Sequence, residues 1–210
     1  MKVGILGSGD VGKALGTGFI GLGHEVKIGS RDPGKLADWL KAAGLKASAG
    51  AFAEAAAFGE ILVLATLWGG TEHAIQLAEP QNFAGKVVID ATNPLSFEGG
   101  PHLALGTTDS GGEQVQRWLP AARVVKAFNT VGYAHMVHPD FPGGPPDMFI
   151  AGNDEGAKKT VTGILDDFGW STIDTGGIEG ARLLEPLCIL WVGYGMRTGT
   201  WNHAFKLLRK

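Results

Sequence analysis

Residues 2–33 read KVGILGSGDVGKALGTGFIGLGHEVKIGSRDP, and this stretch decides the fold. A short apolar run, Val3–Leu6, leads straight into Gly7-Ser8-Gly9-Asp10-Val11-Gly12, a G-x-G-x-x-G turn. Val11, Leu15, Phe19 and Leu22 then recur on one face at helical spacing. A second apolar run, Val26–Ile28, follows. Strand, glycine turn, helix and strand form the context in which this pattern holds a dinucleotide. Gly7 permits the tight turn, Gly9 lets the backbone approach a pyrophosphate, and Gly12 lets the helix pack close to the strand. The helix start presents unpaired N–H groups and the positive end of its dipole to an anion.

The second strand selects the cofactor. It runs out through Ser30-Arg31-Asp32, whereas a site for an unphosphorylated ribose usually closes this strand with an acid. A hydroxyl and a guanidinium suit a 2′-phosphate, because arginine can bond two phosphate oxygens at once. Lys35, one turn into the next helix, adds a second cation. Asp32 keeps NAD open as the alternative, although Asp32-Pro33 also reads as a helix cap with a first-turn proline. The expected cofactor is NADP(H).

Beyond this stretch, apolar runs at Ile61–Thr66, Val87–Asp90, Val124–Ala127, Met148–Ala151 and Ser171–Asp174 read as further strands. Amphipathic stretches at Gly34–Ala43, Thr71–Ala78, Glu113–Leu119 and Glu155–Phe168 alternate with them. Ser110 and Glu113 form a capping box at the third of these. The alternation predicts an α/β chain: a Rossmann-type, doubly wound, mostly parallel sheet with helices on both faces. Residues 1–175 are expected to form this NADP-binding domain. Residues 176–210 are expected to form a small helical appendage that completes the acceptor cleft. Within it, Ile178–Lys210 reads as two or three helices broken at Gly193, Gly195 and Gly199, with Pro186 in a first turn or at a kink.

Open α/β sheets bind ligands at the carboxyl ends of their strands. Those ends carry Ala65-Thr66-Leu67-Trp68, Ala91-Thr92-Asn93-Pro94 and Lys126-Ala127-Phe128-Asn129-Thr130. Thr66, Leu67, Trp68, Asn93, Ala127 and Asn129 are therefore candidate cofactor residues. Thr66 and Asn93 can bond ribose or carboxamide groups, and Trp68 and Phe128 can wall a nicotinamide or simply pack in the core. Lys126 reads equally as a ligand's helper or as a solvated lysine at a strand end. No side chain is assigned a catalytic role. His135 and His138 lack third and fourth partners for a metal, so no metal site is expected.

Composition narrows the function class. Apolar residues make up 44% of 210 and charged residues 19%, enough to bury a sizeable core. A net charge of −3 offers nothing to nucleic acid or an anionic membrane. The single cysteine, Cys188, excludes a disulfide framework and reads as a core residue of a cytoplasmic protein. Met1 runs straight into the first strand, so no signal peptide is expected. The 34 glycines show no repeat period. Leu187, Leu190, Trp191 and Tyr194 are expected to be exposed, which suggests a homodimer.

The opening block resembles the family of NADPH-dependent reductases of coenzyme F420, an 8-hydroxy-5-deazaflavin. Three further blocks agree in order: LVLATLW at 62–68, VVKAFNTVGYAHM at 124–136 and DTGGIEGARLLEPL at 174–187. ATNPLS at 91–96 and VVKAFN are also similar to the cytosolic NADPH-binding domain of six-transmembrane metalloreductases. The resemblance implies NADP(H) lying across the strand ends. It assigns Ser30, Arg31 and Lys35 to the 2′-phosphate, Ser8, Asp10 and Val11 to the pyrophosphate loop, and Ala127 to the nicotinamide pocket. It also implies a deazaflavin stacked on the nicotinamide in a cleft partly walled by the C-terminal helices. Leu67, Gly69-Gly70-Thr71 and the FNTVGY turn depart from the F420 reductase pattern, all on the acceptor side.

Hydride transfer between stacked rings needs alignment and exclusion of water, and no protein nucleophile. The expected activity is therefore hydride transfer between NADPH and F420 or a flavin as small-molecule acceptor. One alternative is a β-hydroxyacid dehydrogenase-like or imine reductase, with Lys126 or His135 as proton donor. Another is a non-catalytic redox sensor that binds NADP(H).

Overall fold

The computed structural model describes all 210 residues. The chain runs β1 (Lys2–Leu6), α1 (Asp10–Gly21), β2 (Glu25–Gly29), α2 (Ala37–Ala43), β3 (Ala47–Gly50), α3 (Phe52–Phe58), β4 (Ile61–Leu64) and α4 (Thr71–Leu77). It continues β5 (Val87–Asp90), β6 (Leu95–Ser96), β7 (His102–Leu103), α5 (Gly111–Trp118), β8 (Arg123–Lys126), β9 (Asp147–Gly152), α6 (Glu155–Asp167), β10 (Ser171–Asp174) and α7 (Ala181–Thr198).

Eight strands form one sheet in the order β10-β9-β8-β5-β4-β1-β2-β3. All neighbours are parallel except β8 and β9, which pair antiparallel through Val125–Gly152 and Lys126–Ala151. The order reverses between β1 and β4, which opens a crevice at their carboxyl ends. Both faces are covered, so the strands read as continuous apolar runs. One face carries a core of 25 buried residues including Val3, Ile5, Phe19 and Phe168, under α1 and α6. The other carries 15, including Leu6, Leu64, Ile75 and Val115, under α3, α4 and α5. The predicted caps form: Asp32 accepts from the Gly34 N–H at 3.2 Å, and Ser110 from the Glu113 N–H at 3.2 Å.

Besides the β6–β7 antiparallel pair, where no strand was expected, three regions differ from the sequence reading. β3 and α3 lie in a stretch of small residues, where alanine gives no contrast between faces and hence no visible period. The helix expected over 34–43 divides into a 3₁₀ turn, Pro33–Leu36, and α2. The two or three C-terminal helices are one. α7 runs through Gly193 and Gly195 and ends at Gly199, whose φ of +71° closes it. Gly195 is a notch that seats Trp201, since a Cβ there would lie 2.6 Å from the indole. Pro186 falls in the second turn, where its ring faces solvent.

After Gly199 the chain doubles back without helix. Trp191 Nε1 donates to the His203 carbonyl at 2.8 Å, and His203 Nε2 lies 3.0 Å from the Trp191 carbonyl. A carbonyl only accepts, so that imidazole nitrogen carries the proton. This strap covers Trp191, which is buried where exposure was expected. Leu190 and Tyr194 are exposed.

Candidate dinucleotide site

The β1–α1 turn is built by its neighbours. Gly7 has φ +130°, and a Cβ there would meet the Ala65 carbonyl oxygen at 2.2 Å. A Cβ on Gly12 would meet the Gly7 oxygen at 2.0 Å, so Gly12 lies beneath the turn and sets the approach of α1. At Gly9, by contrast, nothing lies within 4 Å of a Cβ position: the backbone is bare toward open space. Asp10 opens α1, where its carboxylate favours the helix dipole.

That space is a cleft of ≈500 Å³ over the β1/β4 crevice. It gathers Gly7, Ser8, Gly9, Asp10 and Val11 from the turn; Ser30, Arg31 and Lys35 from the end of β2; and Thr66 and Leu67 from the end of β4. Arg31 and Lys35 are exposed and carry no ion pair, so their charge is free for an anion.

The hydroxyls have defined directions. Ser30 gives its one proton to the Asp32 carbonyl at 3.1 Å and accepts from the Asp32 N–H at 3.1 Å. The 3.0 Å contact with Ser8 is therefore donated by Ser8. Ser30 is buried and already saturated, so contact with a phosphate requires its proton to turn from Asp32. Thr71 gives its proton to the Leu67 carbonyl at 3.2 Å, so Thr66 must donate the 2.8 Å bond between Thr66 and Thr71. Thr66 Oγ1 then meets the cleft as an acceptor only.

Other candidates stand apart from this cleft. Gly12 is beneath it. Trp68 turns away and stacks on Trp118, with centroids 5.5 Å apart and planes at 25°. Phe128 is wholly buried against Phe168, in a left-handed conformation with φ +62° that turns the chain at the end of β8. Ala127 is buried on the α1 and α6 face. Asn93 donates to the Asn129 carbonyl at 2.9 Å, and Asn129 Nδ2 donates to Asn93 Oδ1 and the Leu184 carbonyl, both at 3.0 Å. This pair joins the ends of β5 and β8 to α7, and it leaves the buried Asn129 Oδ1 without a donor.

Lys126 is neither solvated nor at the ligand. It is fully buried, 3.0 Å from Asp90 Oδ2 and 2.9 Å from Glu185 Oε1. Asp90 Oδ1 also accepts from the Thr92 N–H and hydroxyl at 2.9 and 2.7 Å. Glu185 accepts from the Gly111 and Gly112 N–H groups at the start of α5, both at 3.0 Å. Burial alone would lower the ammonium's pKa, but the two carboxylates outweigh it and hold Lys126 above its ordinary value. His135 Nε2 lies 3.1 Å from Asn202 Oδ1 and does not line the cleft. Burial pushes the Cys188 thiol up to about 12, which makes it unreactive.

The sequence reading missed Tyr133, Phe52, His73, Ala65 and Ala91 as lining residues. Tyr133 is 52% exposed and lines the cleft. Its only sequence signal is a tyrosine in a glycine-flanked turn just beyond a strand end.

A bare glycine turn at the start of α1, two unpaired cations beyond β2 and a cleft across a Rossmann switch point define a dinucleotide-binding fold. Residues 2–94 match the family described as NADP oxidoreductase, coenzyme F420-dependent. The chain is 30% identical to the F420-dependent NADP reductase of Methanothermobacter marburgensis, over 99% of this chain and 98% of that one. A solved Arthrobacter sp. FB24 structure, provisionally described as an F420-dependent NADP reductase, is 40% identical over the whole of both chains, with TM-score 0.95. Rat Metalloreductase STEAP3 is 31% identical over 89% of this chain, which spans 36% of that longer protein. The chain belongs to the coenzyme F420-dependent NADP oxidoreductase family and is an NADPH-dependent oxidoreductase. No helix is long and apolar enough to cross a membrane.

Proposed function

We propose that the protein transfers a hydride between NADPH and a planar ring acceptor, coenzyme F420 or a flavin. The observation that carries this is one continuous cleft with unpaired Arg31 and Lys35 at one end and Ala65, Ala91 and Tyr133 at the other. Arg31 and Lys35 hold the 2′-phosphate, with Ser30 joining after its proton turns. The Gly7–Gly12 turn holds the pyrophosphate against Gly9. Thr66 accepts from a ribose hydroxyl or the carboxamide, and Leu67 flanks the same end. The nicotinamide supplies the hydride; the protein aligns the two rings and keeps water out. Asn93 and Asn129 act by fixing α7 beside the ring end, and residues 176–210 complete the acceptor side.

The F420-dependent reductases that the chain matches over nearly their whole length favour the deazaflavin, and the STEAP likeness keeps a flavin in view. The imine-reductase alternative loses both proposed acids, since Lys126 is sequestered and His135 is turned to Asn202. A second copy of this chain would cover Leu183, Leu190 and Tyr194 along α7, giving a homodimer in the cytoplasm. The deciding experiment mixes purified protein with NADPH and, separately, F420, FMN, FAD and a ketone panel, following NADPH absorbance. Oxidation with F420 or a flavin is the expected result. Oxidation with ketones alone, or NADPH binding without any oxidation, would reject it.

A further inference from the structure

A second groove, ≈560 Å³, runs beside the first along the outer face of α1. Asp10, Lys13, Ala14, Thr17, Gly18 and Gly21 form one bank, and Tyr133, Ala134, Val137 and His138 form the other. Asp10 and Tyr133 line both cavities, so the groove meets the dinucleotide cleft between the start of α1 and Tyr133. From Asp10 to Gly21 it extends about 16 Å, at 1.5 Å per helical residue.

Its walls are built to stay open. Gly18 packs so close that a Cβ there would meet Val137 at 2.5 Å, which seats the two banks together at the base. At Gly21 nothing lies within 4 Å of a Cβ position. Lys13 is half-buried in the bank and has no carboxylate within ion-pair distance, Asp10 included. His138 is held at φ +49°, a left-handed conformation unfavourable for a side-chain-bearing residue, by its N–H bond to the Phe168 carbonyl at 2.8 Å. Lys13 and His138 thus lie on opposite banks of the groove.

We propose that this groove is the subsite for the anionic chain of the hydride acceptor. The inference rests on the ring-to-ring reading above. A flavin or deazaflavin must stack its ring on the nicotinamide, and the dinucleotide fills the cleft beyond. The acceptor's phosphate- or carboxylate-bearing chain needs a path out of the ring end. The groove meets the cleft at Tyr133, and Lys13 supplies a free cation along it. Lys13 lies one turn past Asp10 on the same bank, and the chain's anionic group is placed there.

The test compares acceptors that share a ring and differ in their chain: F420 against its phosphate-free deazariboflavin, and FMN against riboflavin. Lys13→Gln removes the cation, and Gly21→Phe fills the open end without touching charge. Each variant is expected to raise KM for the anionic acceptor, relative to its neutral partner, by about tenfold for Lys13→Gln. NADPH affinity, read from its fluorescence, reports whether the first cleft is intact. An unchanged KM ratio in both variants, with NADPH still bound, overturns the proposal. If NADPH binds but no ring acceptor oxidises it, the functional reading fails by itself. Flavin fluorescence then measures FMN against riboflavin binding to the NADP⁺-saturated protein. Preference for FMN that both variants abolish supports the groove; no preference, or no binding, refutes it.

Discussion

Replacing Lys126 with methionine separates a structural lysine from a chemical one. The change leaves the Asp90 and Glu185 carboxylates buried without their shared cation. Breaking a buried pair in this way typically costs about 3–5 kcal/mol. The low end applies here, because Asp90 keeps two donors from Thr92 and Glu185 keeps two N–H groups at a helix start. A loss of about 3 kcal/mol in a chain of this size lowers Tm by roughly 6–12 °C. Circular dichroism melts and urea midpoints measure it. The pH dependence has a definite sign. A raised folded-state pKa gives stability that is fully present below the unfolded value of 10.5 and is lost as pH rises beyond the folded one. The deficit of the variant is therefore constant from pH 7 to 9 and narrows only above about pH 10.5. In the folded variant, NADPH affinity and the rate with a ring acceptor stay within about twofold of wild type, since Lys126 does not line the cleft. A variant of unchanged Tm and abolished turnover would refute this reasoning and make Lys126 the proton donor of a carbonyl or imine reductase.

Arg31→Ala should weaken NADPH binding about tenfold or more while leaving NADH nearly unaffected, as titration of cofactor fluorescence would show; equal losses would remove Arg31 from the 2′-phosphate. Gly9→Ala should lower Tm by only about 1–4 °C, the cost of alanine at a helix N-cap, because its Cβ meets no protein atom, yet lose NADPH binding because a pyrophosphate held by the turn needs that space. Cys188 in the native protein should resist iodoacetamide at pH 8 and react fully in urea, since a thiol with a pKa of about 12 has almost no thiolate there.

The Gly7–Gly12 turn was legible because nearly everything that shapes it lies within one unit of contiguous sequence. Gly7, Gly9 and Gly12, the helical stripe and the Ser30-Arg31 strand end are local features, and local geometry carries them into the structure. Long strands were equally visible, because both faces are buried and the apolar runs are unbroken. The first lapse in the fold, at β3 and α3, came where alanine erased the period. The second, at Gly193 and Gly195, came from treating glycine as a break. Gly195 is small so that Trp201 can lie on the helix, a reason found six residues away on a returning strap.

The β5, β8 and α7 side of the crevice resisted for a related reason: its determinants are pairings across the sequence. Lys126 lies 36 residues from Asp90, and its other partner sits on the last helix. Yet one signal was available. In the strand Val124-Val125-Lys126-Ala127, alternation puts Lys126 on the same face as Val124, toward a core rather than toward solvent. A lysine on a two-sided buried strand needs a carboxylate, and Asp90 closes the adjacent, equally apolar Val87-Val88-Ile89 run. Read as a pair, the two charges predict each other; read singly, Lys126 looks like a ligand-facing residue. The same logic separates Trp68 from Tyr133. Both are aromatics in turns that follow strands, but Trp68 has Trp118 on the facing helix to stack upon, while Tyr133 has no such partner and stays in the cleft. Strand-end position therefore nominates a residue for the site, and the availability of a buried partner decides whether it reaches it.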